Sequence, residues 1–158
     1  MSAVMQENVP QVFRWVTFHL ADEIYGINVM QVQEVLRLTD VAPVPGAPHY
    51  VMGIINLRGN VVTVLDTRKL LDVATGDITD SARIMILESG RVTVGLLVDS
   101  VAEVVNIASS DIDPPPSVGN DEGASYIQGI YSTEQQILIL IDLNKLIAEE
   151  NRDALGMP

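Results

Sequence analysis

The chain has 158 residues, 47% of them hydrophobic but only 4% aromatic, and carries 21 acidic against nine basic side chains, a formal charge of -12. That charge, with no basic run, argues against nucleic acid or anionic lipid as a partner, and the absence of cysteine excludes disulfides, a thiolate nucleophile and cysteine-bound zinc. The opening MSAVMQENVPQ lacks the positive charge and apolar segment of a signal peptide, and no apolar run approaches the ~18 residues of a membrane span, so a soluble, cytoplasmic chain without direct membrane insertion is expected.

In chain order, Phe13 to Leu20 is rich in aromatic and β-branched residues, Ala21 to Glu23 suits a turn, and Ile24 to Met30 completes an antiparallel hairpin. Val32, Val35 and Leu38 suit either a continued strand or a short helical turn. Pro43, Pro45, Gly46 and Pro48 then break regular structure, since proline brings no N–H to a ladder and restricts the residue before it. Val51 to Leu57, a tight turn at Arg58-Gly59-Asn60, and Val61 to Leu65 predict a second hairpin. Asp66 is placed to cap a short helix at Thr67 to Leu71, as Asp142 is for Leu143 to Ile147. Val73 to Ser81 is small and polar and reads as a connector. Beyond it, Arg83 to Leu87 and Arg91 to Val98 predict strands about a turn at Glu88 to Gly90. Asp111 to Glu122, DIDPPPSVGNDE, reads as an exposed loop, and Glu149 to Pro158 as an extension of the last helix that frays.

The chain repeats itself. Tyr50, Gly53, Ile54, Asp66, Lys69 and Leu70 return without a gap as Tyr126, Gly129, Ile130, Asp142, Lys145 and Leu146, and upstream Gly26, Val29, Val32, Glu34 and Val35 return as Gly95, Val98, Val101, Glu103 and Val104. One structural unit of roughly 60 residues is used twice. Units that small are marginal alone, so two lobes, about 12–72 and 82–148 with loose tails, are expected to share a core within one domain. Short turn-separated strands point to a sandwich or small closed barrels, and two barrels side by side fit best.

Constellations for catalysis are missing. No glycine run leads into a Lys-Ser or Lys-Thr pair. His19 falls on an alternating strand and His49 in a proline-rich turn, both positions of structural or exposed residues. Asp111, Asp113, Asp121 and Glu122 lack the glycine-centred spacing of a calcium loop and read as a solvated acidic segment. The repeat offers a sharper discriminator, because positions needed for folding recur while positions used for a task need not. Asn56-Leu57-Arg58-Gly59 is replaced by Ser132-Thr133-Glu134-Gln135, whereas Glu34 recurs as Glu103. An acid on an apolar segment needs a partner, and Arg58 is the natural candidate for Glu34. Arg58 as a merely solvated turn residue weighs equally on this evidence.

The run VQEVLRLTDVAPVPGAPHYVMGIINLRGNVVTVLDTRKLL, with YGINV before it and GLLVDSVAEVV after it, resembles the CheW family of bacterial chemotaxis coupling proteins over nearly the whole chain. The resemblance implies a mainly β fold of two tandem SH3-like five-stranded barrels sharing a core, with short helices and a C-terminal helix. It implies a non-catalytic adaptor, without metal or cofactor and monomeric when free. Such an adaptor joins the cytoplasmic tips of chemoreceptors (methyl-accepting chemotaxis proteins) to the regulatory domain of the histidine kinase CheA, and is recruited to membrane receptor arrays. Carried over by position, Val32, Glu34, Ile84 and Val104 would line a receptor groove between the lobes, with Arg58 paired to Glu34. Ile84 stands where the family often has valine, a change an apolar contact tolerates. Gly53, Asn56, Arg58 and Val62 would meet the kinase. A CheW-like module of the kind fused to a receiver domain or built into the kinase, and a small-molecule binder using the groove as its pocket, are the rival readings.

Overall fold

The computed structural model describes residues 9–115 and 126–147. The expected N-terminal tail through residue 8, the later part of the Asp111–Glu122 loop and the Glu149–Pro158 tail lie outside them.

Among the described residues, ten strands and two short α-helices follow one another as β1 (Val12–Leu20), β2 (Glu23–Asn28), β3 (Val32–Arg37), β4 (Val51–Leu57), β5 (Asn60–Asp66), α1 (Thr67–Leu70), β6 (Arg83–Ser89), β7 (Val92–Val98), β8 (Ser100–Ala108), β9 (Ile127–Ser132), β10 (Ile137–Ile141) and α2 (Leu143–Leu146), with 3-10 turns at Val29–Gln31 and Ser109–Asp111. Where the sequence left Val32 to Leu38 open between strand and helix, a strand forms, paired along β6. Both aspartates cap as expected: the Asp66 carboxylate accepts from the Arg68 and Lys69 N–H groups, and Asp142 from that of Asn144. The β4–β5 turn is tight because Arg58 (φ 51°) and Gly59 (φ 90°) both take positive φ, the backbone of a two-residue hairpin loop that follows the strand twist.

The strands form two five-stranded sheets, ordered β8-β1-β2-β10-β9 and β3-β6-β7-β5-β4. Adding five to each strand number of the second order reproduces the first, counting round from β10 to β1. The repeat is therefore real in three dimensions, but the sheets do not follow the expected lobes at 12–72 and 82–148. Each copy lends its first hairpin to the other: β1 and β2 lie between β8 and β10, while β6 and β7 lie between β3 and β5. The joins are parallel, Ile24–Ile27 along Leu138–Ile141 and Val94–Leu97 along Thr63–Asp66. Connection length enforces the separation at one of the two crossings. Only Asp99 separates β7 from β8, and one residue is too short for the two-residue loop that lets consecutive strands lie side by side.

Burial follows the same plan. Val16, Phe18, Leu20 and Ile27 of the first sheet pack with Leu65, Met85, Leu87, Val94 and Leu96 of the second and with Leu143 and Leu146, forming one core shared between the sheets. Behind it each sheet keeps a cluster of its own: Ile55, Val62, Val64, Ile84, Ile86 and Leu97 in the second, Trp15, Ile107, Leu138 and Leu140 in the first. On β6, alternate residues thus enter different cores, Ile84 and Ile86 one and Met85 and Leu87 the other, as the two-residue period of a strand requires.

Edges are joined as well. The chain leaving β3 returns at Ala42 to bridge Ile54 on β4, and the chain leaving β8 returns at Asp113 to bridge Ile130 on β9. Each bridge carries a reciprocal pair of backbone hydrogen bonds, 2.8 to 2.9 Å long. The repeated glycines make room for them. A Cβ on Gly53, whose φ is 153°, would stand 2.2 Å from the Ala42 carbonyl oxygen, and one on Gly129 would stand 2.4 Å from a methyl of Ile112.

Candidate functional site

Arg58 takes the left-handed conformation at the first position of the β4–β5 turn, where glycine, asparagine or aspartate is usual. The Asn56 carboxamide oxygen holds the turn from within by accepting from the Gly59 N–H at 2.8 Å. So presented, the guanidinium grips Glu34 on β3 with two bonds, Nη1 donating to Oε1 at 3.2 Å and Nη2 to Oε2. Since β3 and the β4–β5 hairpin form opposite edges of the second sheet, the ion pair crosses the seam where those edges meet. At the corresponding seam of the first sheet stand Glu103 and Glu134, two acids.

The pair is exposed, with the Arg58 side chain 69% and the Glu34 side chain 29% accessible. The Arg58 hydrogen bonds hold the Glu34 carboxyl below the usual glutamate range, opposed by desolvation and helped by the guanidinium charge. A carboxyl depressed in the folded state lends stability above the ordinary glutamate pKa and loses it as the pH falls through the folded value. Acidification through that window is expected to release Arg58, and a carbon-detected titration checks it. The Glu34 midpoint should lie below its value in an Arg58→Asn variant, and equal midpoints would mean the pair does not persist in solution.

The residues assigned from the sequence separate by burial. Glu34, Asn56 and Arg58 reach solvent together at this seam. Val32 is half-buried against the shared core, and Val104 is 46% exposed on β8, in the other sheet. Ile84 does not line a groove. Its side chain has no exposure, because it points into the second sheet's own core beside Val62 and Val64. Val62 is 4% exposed in that core and Gly53 is buried under Ala42, so neither offers a side chain to a partner in the folded chain. Apolar residues that the sequence does not mark as surface are exposed near these positions: Val35 on β3, Val61 on β5 and Met30 before β3, with Ile137 on β10 in the repeat position of Val61. Their surroundings are apolar runs, in which period alone does not separate the outward face from the inward one.

Among the described residues no cluster of three or more His, Asp or Glu is arranged to hold a metal, and no helix is long and apolar enough to cross a membrane. What the surface offers is contact area around a charged pair. Residues 14–151 match the CheW-like domain family. The chain belongs to the CheW-like family. Its relatives include "Chemotaxis protein CheW" of Treponema pallidum, 32% identical over 91% of this chain and 87% of that one, and "Chemotaxis protein CheW" of Rhizobium meliloti, 32% identical over 88% and 90%. "Protein FrzA" of Myxococcus xanthus is 30% identical over 88% of each. Among solved structures, that of the scaffolding protein TtCheW from Thermoanaerobacter tengcongensis superposes with a TM-score of 0.80 at 33% identity, covering 90% of this chain and 96% of that one. This CheW-like chain is accordingly a chemotaxis scaffold of mainly β fold and not an enzyme.

Proposed function

We propose that this CheW-like protein joins the cytoplasmic tips of transmembrane chemoreceptors to the regulatory domain of the histidine kinase CheA, working as a free monomer of the cytoplasm that is recruited to receptor arrays. The observation that carries the reading is the difference between two equivalent places on a duplicated fold. At one, Val61 stands exposed beside Arg58 and Asn56, and at the other, Ile137 stands exposed on the hairpin that carries Glu134. Small apolar centres with unlike polar rims are what a protein needs to hold two partners without confusing them.

In this reading Val32, Glu34 and Val104 meet the receptor, with Val35 extending the contact. Asn56, Arg58 and Val61 meet the kinase, while Gly53 and Val62 support that surface from within. Arg58→Asn is the informative variant. Asparagine accepts the positive φ of the turn but cannot reach Glu34 with two donors. With receptor-bearing membranes and CheA, kinase autophosphorylation stimulated by the wild-type protein should fall roughly tenfold or more, the loss expected of a central charged contact in an interface, with only the small change in melting temperature that loss of an exposed ion pair brings. Glu34→Lys should behave alike. Full stimulation by both variants would remove the pair from the interface, and no stimulation by the wild type would remove the adaptor reading itself.

A further inference from the structure

The chain passes between the two sheets twice, at Val29–Gln31 from β2 to β3 and at Asp99 from β7 to β8. The two crossings are equivalent by repeat but differently built. Asp99 makes four hydrogen bonds. Its N–H donates to the His19 carbonyl oxygen at 3.0 Å. Its Oδ2 accepts from the Ala21 N–H at 2.7 Å and from Arg68 Nη2 at 2.6 Å, and its Oδ1 accepts from Arg68 Nε at 2.7 Å. His19 and Ala21 belong to the β1–β2 hairpin of the first sheet, whereas Arg68 stands on α1, which continues β5 of the second. One carboxylate therefore ties the sheets together.

The pair is partly withdrawn from water, with side chains 17% and 25% exposed, and its two parallel charge-assisted bonds are of the strong kind. The bonds to Asp99 raise the Arg68 pKa further above its usual range. Two features hold the partners in place. Ala21 accepts a positive φ of 53° that aims its N–H at Asp99, and Gly76 lies so near that a Cβ there would stand 3.1 Å from Arg68 Nη1.

At the other crossing, Met30 occupies the repeat position of Asp99 and Asn144 that of Arg68. Met30 is 84% exposed, and the hydrogen bonds at this crossing include local ones from its own N–H to Asn28 Oδ1 at 2.9 Å and from the Val32 N–H to the Val29 carbonyl oxygen. Among the described residues no ion pair stands at this crossing, so the repeated topology does not by itself require the pair at Asp99.

We infer that Arg68 and Asp99 form a latch that fixes one sheet against the other on one side of the molecule, leaving Val29–Gln31 as the side on which the sheets give. Resting on the adaptor reading, the latch lets a displacement imposed at the receptor surface reach the kinase surface instead of being absorbed between the sheets. Arg68→Gln removes the bidentate donor, and Asp99→Asn keeps an acceptor for Ala21 while removing the charge. Two measurements on the full chain test the inference. In amide exchange, the Ala21 and Asp99 N–H groups should exchange roughly tenfold or more faster in both variants, as local opening allows, while Leu65 and Leu96 within the second sheet keep wild-type rates. In receptor-stimulated kinase assays, stimulation should fall although each variant still binds receptor membranes and CheA separately.

Unchanged exchange at Ala21 and Asp99 would overturn the latch. Equal acceleration at Leu65 and Leu96 would reduce it to a general stabilising contact and overturn it too. Faster local exchange with undiminished stimulation would overturn the transmission role. A wild-type protein that fails to stimulate the kinase would count against the adaptor reading alone, since the exchange result needs no partner.

Discussion

Gly53→Ala is expected to cost about 2–6 kcal/mol of folding stability, the sum of a strained positive φ and an overpacked contact. The Cβ of alanine would enter the space of the Ala42 carbonyl oxygen at 2.2 Å, and that oxygen is itself bonded to the Ile54 N–H. Backbone cannot swing aside as a side chain can, so relief requires breaking the bridge that joins the second sheet's edges. For a chain of this length each kcal/mol shifts the melting temperature by roughly 2–4 °C, which puts the loss within easy reach of a thermal or urea unfolding experiment. Gly129→Ala supplies the internal comparison. Its Cβ would first strike a methyl of Ile112 at 2.4 Å, which side-chain rotation can relieve, and would stand 3.0 Å from the Asp113 carbonyl oxygen, a milder backbone contact than at Gly53, so the loss should be smaller. Equal losses at the two positions would show that the bridges are not what the glycines protect.

Ile84→Ala and Val104→Ala should part just as sharply. Both residues were assigned to one receptor groove from the sequence, yet Ile84 has no exposure and Val104 is 46% exposed. Truncating Ile84 leaves a cavity among Val62, Val64, Ile86 and Leu97, expected to cost about 2–5 kcal/mol. Truncating Val104 should change stability by no more than about 0.5 kcal/mol and act on partner binding instead. A stable Ile84→Ala variant with impaired receptor binding would return Ile84 to the interface.

Beyond the repeat, most of what the sequence disclosed was short-range. Asp66 and Asp142 as caps and Arg58–Gly59 as a turn depend on residues two or three positions apart, and a pairing between Glu34 and Arg58 was legible because an acid on an apolar strand calls for a base. The burial of Ile84 was not legible. In the run Ile84 to Leu87 every residue is apolar, since both faces of β6 meet a core, and alternation vanishes where both faces are buried. Nor was the exchange of hairpins, because a hairpin carries the same pattern whichever copy it packs against. The informative signal was the single residue between Val98 and Ser100, which has meaning only once both flanking segments are known to be strands.

Exchange between the copies also governs the order in which this chain can acquire structure during synthesis. When residues 1 to 72 have left the ribosome, β3, β4 and β5 still lack the central hairpin β6–β7, and β1–β2 lacks every strand that will flank it. The first half must wait with unpaired edges until the second emerges. Pairings of such high sequence separation form slowly, and open edges invite association with a neighbouring chain. A nascent CheW-like chain can therefore close the second sheet once β7 emerges, whereas the first sheet stays incomplete until β10 does.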